Sequence, residues 1–303
     1  MCKIIVIVGP TASGKTNLSI DIAKRIGSEI ISADSLQVYK EFNICTSKPT
    51  EEQLKIVKHH LIGNISVSSE YSVFNFVSEA KKRIEMISSL GKVPVIVGGT
   101  GLWIDALVNN FQFEQSKCNY ECLDNNLDLY SELKKIDPIS AQNINKNDNK
   151  RLSRAISFFK TFGFSICEQK NRTLKTNKNY EVLKIGINFK DRSLLYERIN
   201  KRVDKMVEDG LLDEIQRIKN MKISKTASAA IGYKEFLPYF DGQITLNNAI
   251  NNVKQQTRRY AKRQITWFKR CQITNWFFLD EIENYNDIFS KIYDLGFDVQ
   301  NRG

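Results

Sequence analysis

The sequence predicts an α/β fold of the P-loop type: a doubly wound parallel sheet with a small helical insertion domain and a helical C-terminal region. Three observations lead there. Short β-branched runs alternate with helical periods over roughly the first third of the chain. A glycine-rich turn of fixed spacing follows the first run. From 113 to 184 the strand pattern disappears, and it returns afterwards, as an insertion into a continuing sheet would make it do.

The elements follow in order. Lys3–Val8 (KIIVIV) reads as a buried strand. Leu18, Ile22 and Ile26 then recur at helical spacing, with Gly27 as the stop. Glu29–Ala33 is a second strand. Val73, Val77, Ile84 and Ile87 mark a helix within Ser72–Leu90, and Val93–Val97 is a third buried strand before Gly98-Gly99-Thr100-Gly101. The insertion is rich in Asn and Lys, yet Asp148 can cap a helix carrying Leu152, Ile156, Phe159 and Phe162 up to Gly163. Val182–Phe189 resumes the sheet. Asp191 can cap a long helix with Leu195, Ile199, Val203 and Met206, and the C-terminal third reads as largely helical. The expected domains are a core of 1–112 with 185–303, and an insertion of 113–184.

Composition narrows the class. Hydrophobic residues are 42% and charged residues 26%, which suits a soluble globular protein. Lys and Arg total 45 against 34 Asp and Glu, a net +11. Such an excess favours a polyanionic partner through counterion release, or else serves solubility. No apolar run approaches the length of a membrane span, and the apolar start at Ile4–Val8 is too short for a signal peptide. Of the six cysteines only Cys118 and Cys122 are close, and the sole histidines, His59 and His60, are distant in sequence. That argues against zinc and for reduced thiols in the cytoplasm.

Gly9-Pro10-Thr11-Ala12-Ser13-Gly14-Lys15-Thr16 satisfies G-x-x-x-x-G-K-[ST] at every fixed position, between a strand and a helix. Glycines let backbone N–H groups turn inward on an anion, and the helix N-terminus adds its dipole. Lys15 supplies a full charge, and the Thr16 hydroxyl suits Mg²⁺. A chance match in a glycine turn would lack the flanking strand and helix. The motif implies a bound di- or triphosphate and leaves the reaction open.

Ligands of open α/β sheets bind beyond the carboxyl ends of the strands. The P-loop, Asp34 with Ser35, and Thr100 leave three such ends, so they should converge. Asp34 there is a candidate general base, or alternatively an N-cap or an indirect metal ligand. The Gly-Gly-Thr turn can bring donors close to an oxygen, or be a plain tight turn. The strand before Asp34 is short and only partly apolar, which weakens an ATP-driven motor reading.

Thr257–Arg270 (TRRYAKRQITWFKR) is a basic, aromatic helix candidate. Helical spacing puts Arg259, Arg263 and Arg270 near one face, with Arg258, Lys262 and Lys269 beside it. Phosphates would take the charges, and Tyr260 and Trp267 could stack on bases. The plainer reading is a solvated face whose Trp267 and Phe268 serve the core. Arg151 and Arg154 form a second basic site.

With these residues in view the chain resembles the tRNA dimethylallyltransferases (tRNA isopentenyltransferases), from Lys3 to about Leu279. The resemblance rests on GPTASGKT at Gly9–Thr16, SADSLQVYK at Ser32–Lys40, TSKPT at Thr46–Thr50 and HHLI at His59–Ile62. It continues through VGGTGLW at Val97–Trp103, NDNKRLSRAI at Asn147–Ile156, GYKE at Gly232–Glu235 and TRRYAKRQITWF at Thr257–Phe268. The P-loop alone is common to many families; the ordered set is far more specific.

The resemblance implies that the loop and Mg²⁺ hold dimethylallyl diphosphate and that tRNA enters from the far side of a channel. The adenosine 3′ of the anticodon is then flipped out to expose its amine. It makes Asp34 the base, Lys15 a catalytic cation, and Thr100 the stabiliser of the oxygen joining allyl group and diphosphate. It assigns tRNA contacts to Ser35, Leu36 and Gln37, and to Lys150, Arg151, Leu152, Ser153 and Arg154 of the insertion. Arg258, Arg259 and Arg263 are the basic-helix candidates for the same partner, and a monomer is expected.

Departures exist: Cys45 stands where many relatives have Gly, Ala229 where they often have Arg or Gln, and no acid lies around Gly63-Asn64. In some relatives that arginine contacts the diphosphate or the catalytic oxygen, a contact Ala229 cannot make. Two rival enzymes share the first 110 residues' logic: a P-loop small-molecule kinase, and a prenyltransferase of free adenine nucleotides. Neither requires the basic helix. A non-catalytic RNA binder would not require Lys15, Thr16 and Asp34 together.

Overall fold

The computed structural model describes residues 2–111, 128–165, 168, 180–271, 274–282 and 285–294. Two compact units emerge: Met1–Leu107 with Tyr180–Gly303, and Val108–Asn179.

The first unit is built on a six-stranded parallel sheet of order β3-β2-β4-β1-β5-β6. In chain order, β1 (Cys2–Val8) leads to α1 (Lys15–Arg25), β2 (Ile30–Ser32), α2 (Glu51–Ile56) and β3 (His59–His60). Then come α3 (Val73–Ser89), β4 (Val95–Gly98) and α4 (Gly101–Val108). Parallel strands need both faces covered, which is why Ile4–Val8 of β1 is an unbroken apolar run, buried throughout. Capping boxes at Thr50 with Gln53 and at Ser72 with Asn75 start α2 and α3. The apolar stripe of α1 (Leu18, Ile22) packs with Ile5, Ile7 and Ile185 of the strands.

The second unit holds α5 (Leu129–Ile136), α6 (Pro138–Asn143) and α7 (Asn149–Phe162). Asp148 caps α7 as its sequence indicates, accepting from Arg151 N–H at 3.2 Å. Leu129, Leu133, Ala141, Leu152, Ala155 and Ile156 form its core.

The chain returns to the sheet at Tyr180, where β5 (Tyr180–Asn188) pairs with β1 from Cys2↔Tyr180 to Val8↔Gly186. After it come α8 (Arg192–Glu208), capped by Asp191, and α9 (Leu211–Lys219). A 3₁₀ turn (Ala227–Ala229), α10 (Leu237–Phe240) and α11 (Leu246–Phe268) follow. Last are β6 (Thr274–Phe278) and α12 (Asn286–Asp294). Two edge strands go beyond the sequence reading. β3 is two residues long, and β6 interrupts a stretch read as helical because Thr274–Phe278 pairs with Lys184–Asn188 of β5. Among the described residues no helix is long and apolar enough to cross a membrane.

β1 lies between β4 and β5, with β2 beyond β4, so the connections run in opposite directions on its two sides. That switch point opens a crevice at the carboxyl end of β1. Val8 sits opposite Gly98, and Ser32 opposite Val97. The residues after β1, β2 and β4 therefore share one rim.

Candidate active site

The loop after β1 is folded by its own bonds. Ser13 N–H donates to Pro10 O at 3.3 Å, and Lys15 Nζ donates to the same oxygen at 2.6 Å. Gly14 precedes α1 at φ 89°, a left-handed conformation that favours glycine and lets the helix begin inside the loop. A cavity of about 360 Å³ opens beside it, lined by Ala12–Asn17 together with Arg198, Lys201 and Arg202 of α8.

Sequence reasoning missed those three cations. Arg198 Nε donates to Ala12 O at 3.0 Å, and Arg202 Nε to Ser47 Oγ at 2.7 Å. The signal was present: Arg198 and Arg202 are four apart on a helix, beside the apolar stripe of Leu195, Ile199 and Val203 that buries it. The cavity is consequently cation-rich. Burial, and then the charge of Arg202, lowers Lys15 to about 7, with Asp34 partly opposing the shift. Burial likewise lowers Arg202, again opposed by Asp34. Ser13 Oγ is buried without a hydrogen-bond partner among the described residues. A buried polar atom beside crowded cations is the environment an anion would complete.

Asp34 follows β2. Its Oδ1 accepts from Leu36 N–H at 2.9 Å and Gln37 N–H at 3.3 Å, so this oxygen closes the turn at 35–38 and caps no helix. One carboxylate oxygen thus shapes the turn. Thr100 Oγ1 accepts from Ser35 N–H at 3.1 Å, and Thr100 N–H reaches Ala33 O at 3.4 Å. Asp34 and Thr100 are thus tied through their loops. Leu36 and Ser35 are half-buried; Gln37 is tied down further, its Nε2 donating to Thr46 O at 3.2 Å and Ser47 O at 3.3 Å.

The turn leading into Thr46–Thr50 is anchored at its backbone. Glu214 of α9 accepts from the N–H groups of Asn43, Ile44 and Cys45 at 2.9, 2.8 and 2.9 Å. Lys48 Nζ donates to Tyr39 O and Lys40 O, and burial lowers it to about 8. Cys45 is buried with its thiol directed at Ile231 O, while Ala229 is exposed on its 3₁₀ turn.

The basic helix divides its residues. Arg259, Lys262 and Arg263 of α11 are exposed, but Arg258 is half-buried and donates to Asn200 Oδ1 of α8 at 2.6 Å. Arg270 does not extend the helical face, since α11 ends at Phe268. The aromatics take inward roles. Trp267 Nε1 donates to Asp105 Oδ2 at 2.7 Å, and Phe268 is fully buried. Tyr260 directs its hydroxyl toward Gly99 O and Thr100, and burial pushes its titration far up. Tyr260 and Trp267 stay half-buried, each with an arginine guanidinium over its ring, Arg263 at 5.7 Å and Arg270 at 5.6 Å.

In the insertion, Lys150, Arg151 and Arg154 are exposed and Ser153 is half-buried. Leu152 is fully buried against Leu129 and Leu133, which removes its side chain from any interface. Among the described residues no cluster of three His, Cys, Asp or Glu could hold a metal; Cys118, Cys122 and Cys167 lie outside them.

A parallel switch-point sheet with a glycine-rich loop, an acid and a hydroxyl on its rim defines an α/β enzyme of P-loop-like fold. The chain belongs to the IPP transferase family, whose model matches residues 37–271. It is 40% identical to the tRNA dimethylallyltransferase of Caldanaerobacter subterraneus subsp. tengcongensis, over 96% of each chain. It is 43% identical to that of Staphylococcus aureus, over 90% of this chain and 91% of that one. Among solved structures it is similar to the tRNA delta(2)-isopentenylpyrophosphate transferase of Staphylococcus epidermidis. There the TM-score is 0.72 and the identity 38%, over 97% of this chain and 100% of that one. A eukaryotic dimethylallyltransferase acting on tRNA gives a TM-score of 0.81 at 28% identity, over 100% and 82%.

Proposed function

We propose that this chain transfers a dimethylallyl group from dimethylallyl diphosphate to the exocyclic amine of the adenosine 3′ of the anticodon in tRNA. The observation that carries the reading is the shared rim: an anion cradle filled with cations stands beside an acid and a hydroxyl fixed to each other's loops.

The diphosphate lies in the loop of Gly9 to Thr16, against Lys15, Arg198 and Arg202. These arginines supply the cationic contacts that Ala229 does not. The adenosine amine attacks the allylic carbon, the carbon–oxygen bond breaks, and the diphosphate leaves with the bonding pair. Asp34 Oδ2 accepts the proton the amine loses. Thr100 stabilises the bridging oxygen as charge builds there. Thr16, on the first turn of α1 and lining the same cavity, would hold Mg²⁺. When bound there, Mg²⁺ would supply charge neutralisation for the diphosphate.

Ser35, Leu36 and Gln37 line the acceptor side. Arg259 and Arg263, with Lys150, Arg151 and Arg154 of the insertion, meet tRNA phosphates. The chain acts as a monomer in the cytoplasm.

The test mixes the protein, Mg²⁺, labelled dimethylallyl diphosphate and either unmodified tRNA or AMP, with ATP and hydroxyl acceptors in parallel. Label in tRNA is expected. Label in AMP alone would move the reading to a nucleotide prenyltransferase, and phosphate transfer from ATP to a kinase.

A further inference from the structure

One buried side chain bridges the two halves of the site. Gln264 of α11 is 4% exposed. Its Oε1 accepts from Thr11 N–H in the phosphate loop at 2.8 Å, and its Nε2 donates to Gly99 O at 3.0 Å. Gly99 immediately precedes Thr100. The amide orientation follows from its partners, since a backbone N–H can only donate and a carbonyl can only accept. The fit is close enough that a Cβ on Gly99 would fall 2.2 Å from Nε2.

Each loop keeps its own shape without this bridge. The phosphate loop has its bonds to Pro10 O, and Thr100 has those to Ser35 N–H and Ala33 O. The β1–β4 ladder sets their spacing only at the strand ends, where Val8 lies opposite Gly98; beyond those ends, among the described residues, Gln264 is the side chain that bonds to both loops. The proposed reaction needs that spacing, because the diphosphate rests on one loop while its bridging oxygen meets Thr100 on the other.

We infer that Gln264 is a positioning residue that sets the distance between the phosphate loop and Thr100, and so controls the transfer step rather than the affinity for either substrate. This rests on the reading given under Proposed function.

Three variants test it. Gln264→Asn has the same chemistry but is one carbon shorter, so it can hold one loop or the other. Gln264→Glu keeps the length but turns an acceptor toward Gly99 O. Gly99→Ala displaces Nε2 and breaks the bridge from its other end, so the bridge is tested even where a Gln264 variant fails to fold. Each is assayed for single-turnover transfer to tRNA, for the Kd of inorganic diphosphate with Mg²⁺, and for the Kd of tRNA.

The expected result is a transfer rate lower by about 30- to 100-fold, the scale of an ångström-sized misplacement. Both Kd values should stay within about threefold in Gln264→Asn and Gly99→Ala, because each loop keeps its own bonds; Gln264→Glu adds a charge beside the diphosphate and is judged on its transfer rate and tRNA Kd. Placed on Thr100→Ala, Gln264→Asn should cost less than about threefold more, because the effect runs through Thr100. The inference is overturned by a rate near wild type in the folded variants, by a diphosphate Kd that rises in step with the rate loss, or by full additivity with Thr100→Ala. Failure of the wild-type protein to make dimethylallyl-tRNA would instead sink the functional reading.

Discussion

Lys15 should make diphosphate binding weaken as pH rises through neutrality. Burial and Arg202 bring its titration down to about 7 in the unliganded protein. A bound diphosphate supplies the opposite charge and pushes it well up again. Protonated Lys15 is therefore the binding form, and above pH 7 each unit costs up to tenfold in affinity. From pH 6.5 to 8.5 the weakening should reach about 25-fold, just under 2 kcal/mol at 1.36 kcal/mol per pKa unit. Inorganic diphosphate titrates too, so the useful quantity is the ratio of wild-type Kd to that of Lys15→Arg, whose charge is fixed across this range. Calorimetry in two buffers of different ionisation enthalpy should also show about 0.8 of a proton taken up at pH 7.5. Removing Arg202 takes away a cause of the lowering, so Arg202→Met should move the midpoint above 7 while weakening diphosphate. A ratio flat from pH 6.5 to 8.5 would refute the account of a confined, destabilised ammonium.

Asp34→Asn keeps an Oδ1 for the N–H groups of Leu36 and Gln37 but removes the base, so turnover should fall roughly 10²–10⁴-fold with tRNA affinity nearly intact; turnover near wild type would dismiss Asp34 as base. Glu214→Ala strands three backbone donors of Asn43–Cys45 and should lower unfolding stability in urea by about 3 kcal/mol or more. Arg259→Ala with Arg263→Ala should reduce the slope of log Kd against log salt for tRNA by roughly 1.5, and an unchanged slope would take that face out of the interface.

The strands and the phosphate loop were legible because both are local patterns. β1, β2 and β4 show as short apolar runs, and Asp148 and Asp191 show as caps because a cap bonds within three residues of itself. The edge strands were not legible. Five residues of β6 and two of β3 are strands because a neighbour offers them hydrogen bonds, which no local period records. The same limit applies to the site. Asp34 and Thr100 sit in motifs, but Arg202, Glu214 and Gln264 act on loops 155 to 253 residues away in sequence. Their chemistry resides in a pairing, and a helix shows its buried polar residues only as gaps in an apolar stripe. For Trp267 and Tyr260 the sequence left a stacking role and a core role open, because the inward partners Asp105 and Gly99 lie more than 150 residues away.

The geometry of α11 bears on which acceptor the site serves. Its inward face puts Tyr260 and Gln264 against the Gly99-Thr100 turn, and its outward face exposes Arg259, Lys262 and Arg263. These residues lie within about one helical turn, so the cations stand only ~5 Å along the axis from groups that touch the turn carrying Thr100. A solubilising charge patch has no reason to be centred there. A free nucleotide has at most a few phosphates, all of which would have to lie near the reacting base. A polynucleotide has phosphates at every step on both sides of it, and can meet cations on the outer face while one base reaches the rim. The rigidity of a single buried helix then fixes where the strand runs relative to Thr100, and the acceptor this arrangement suits is one adenosine within a longer RNA.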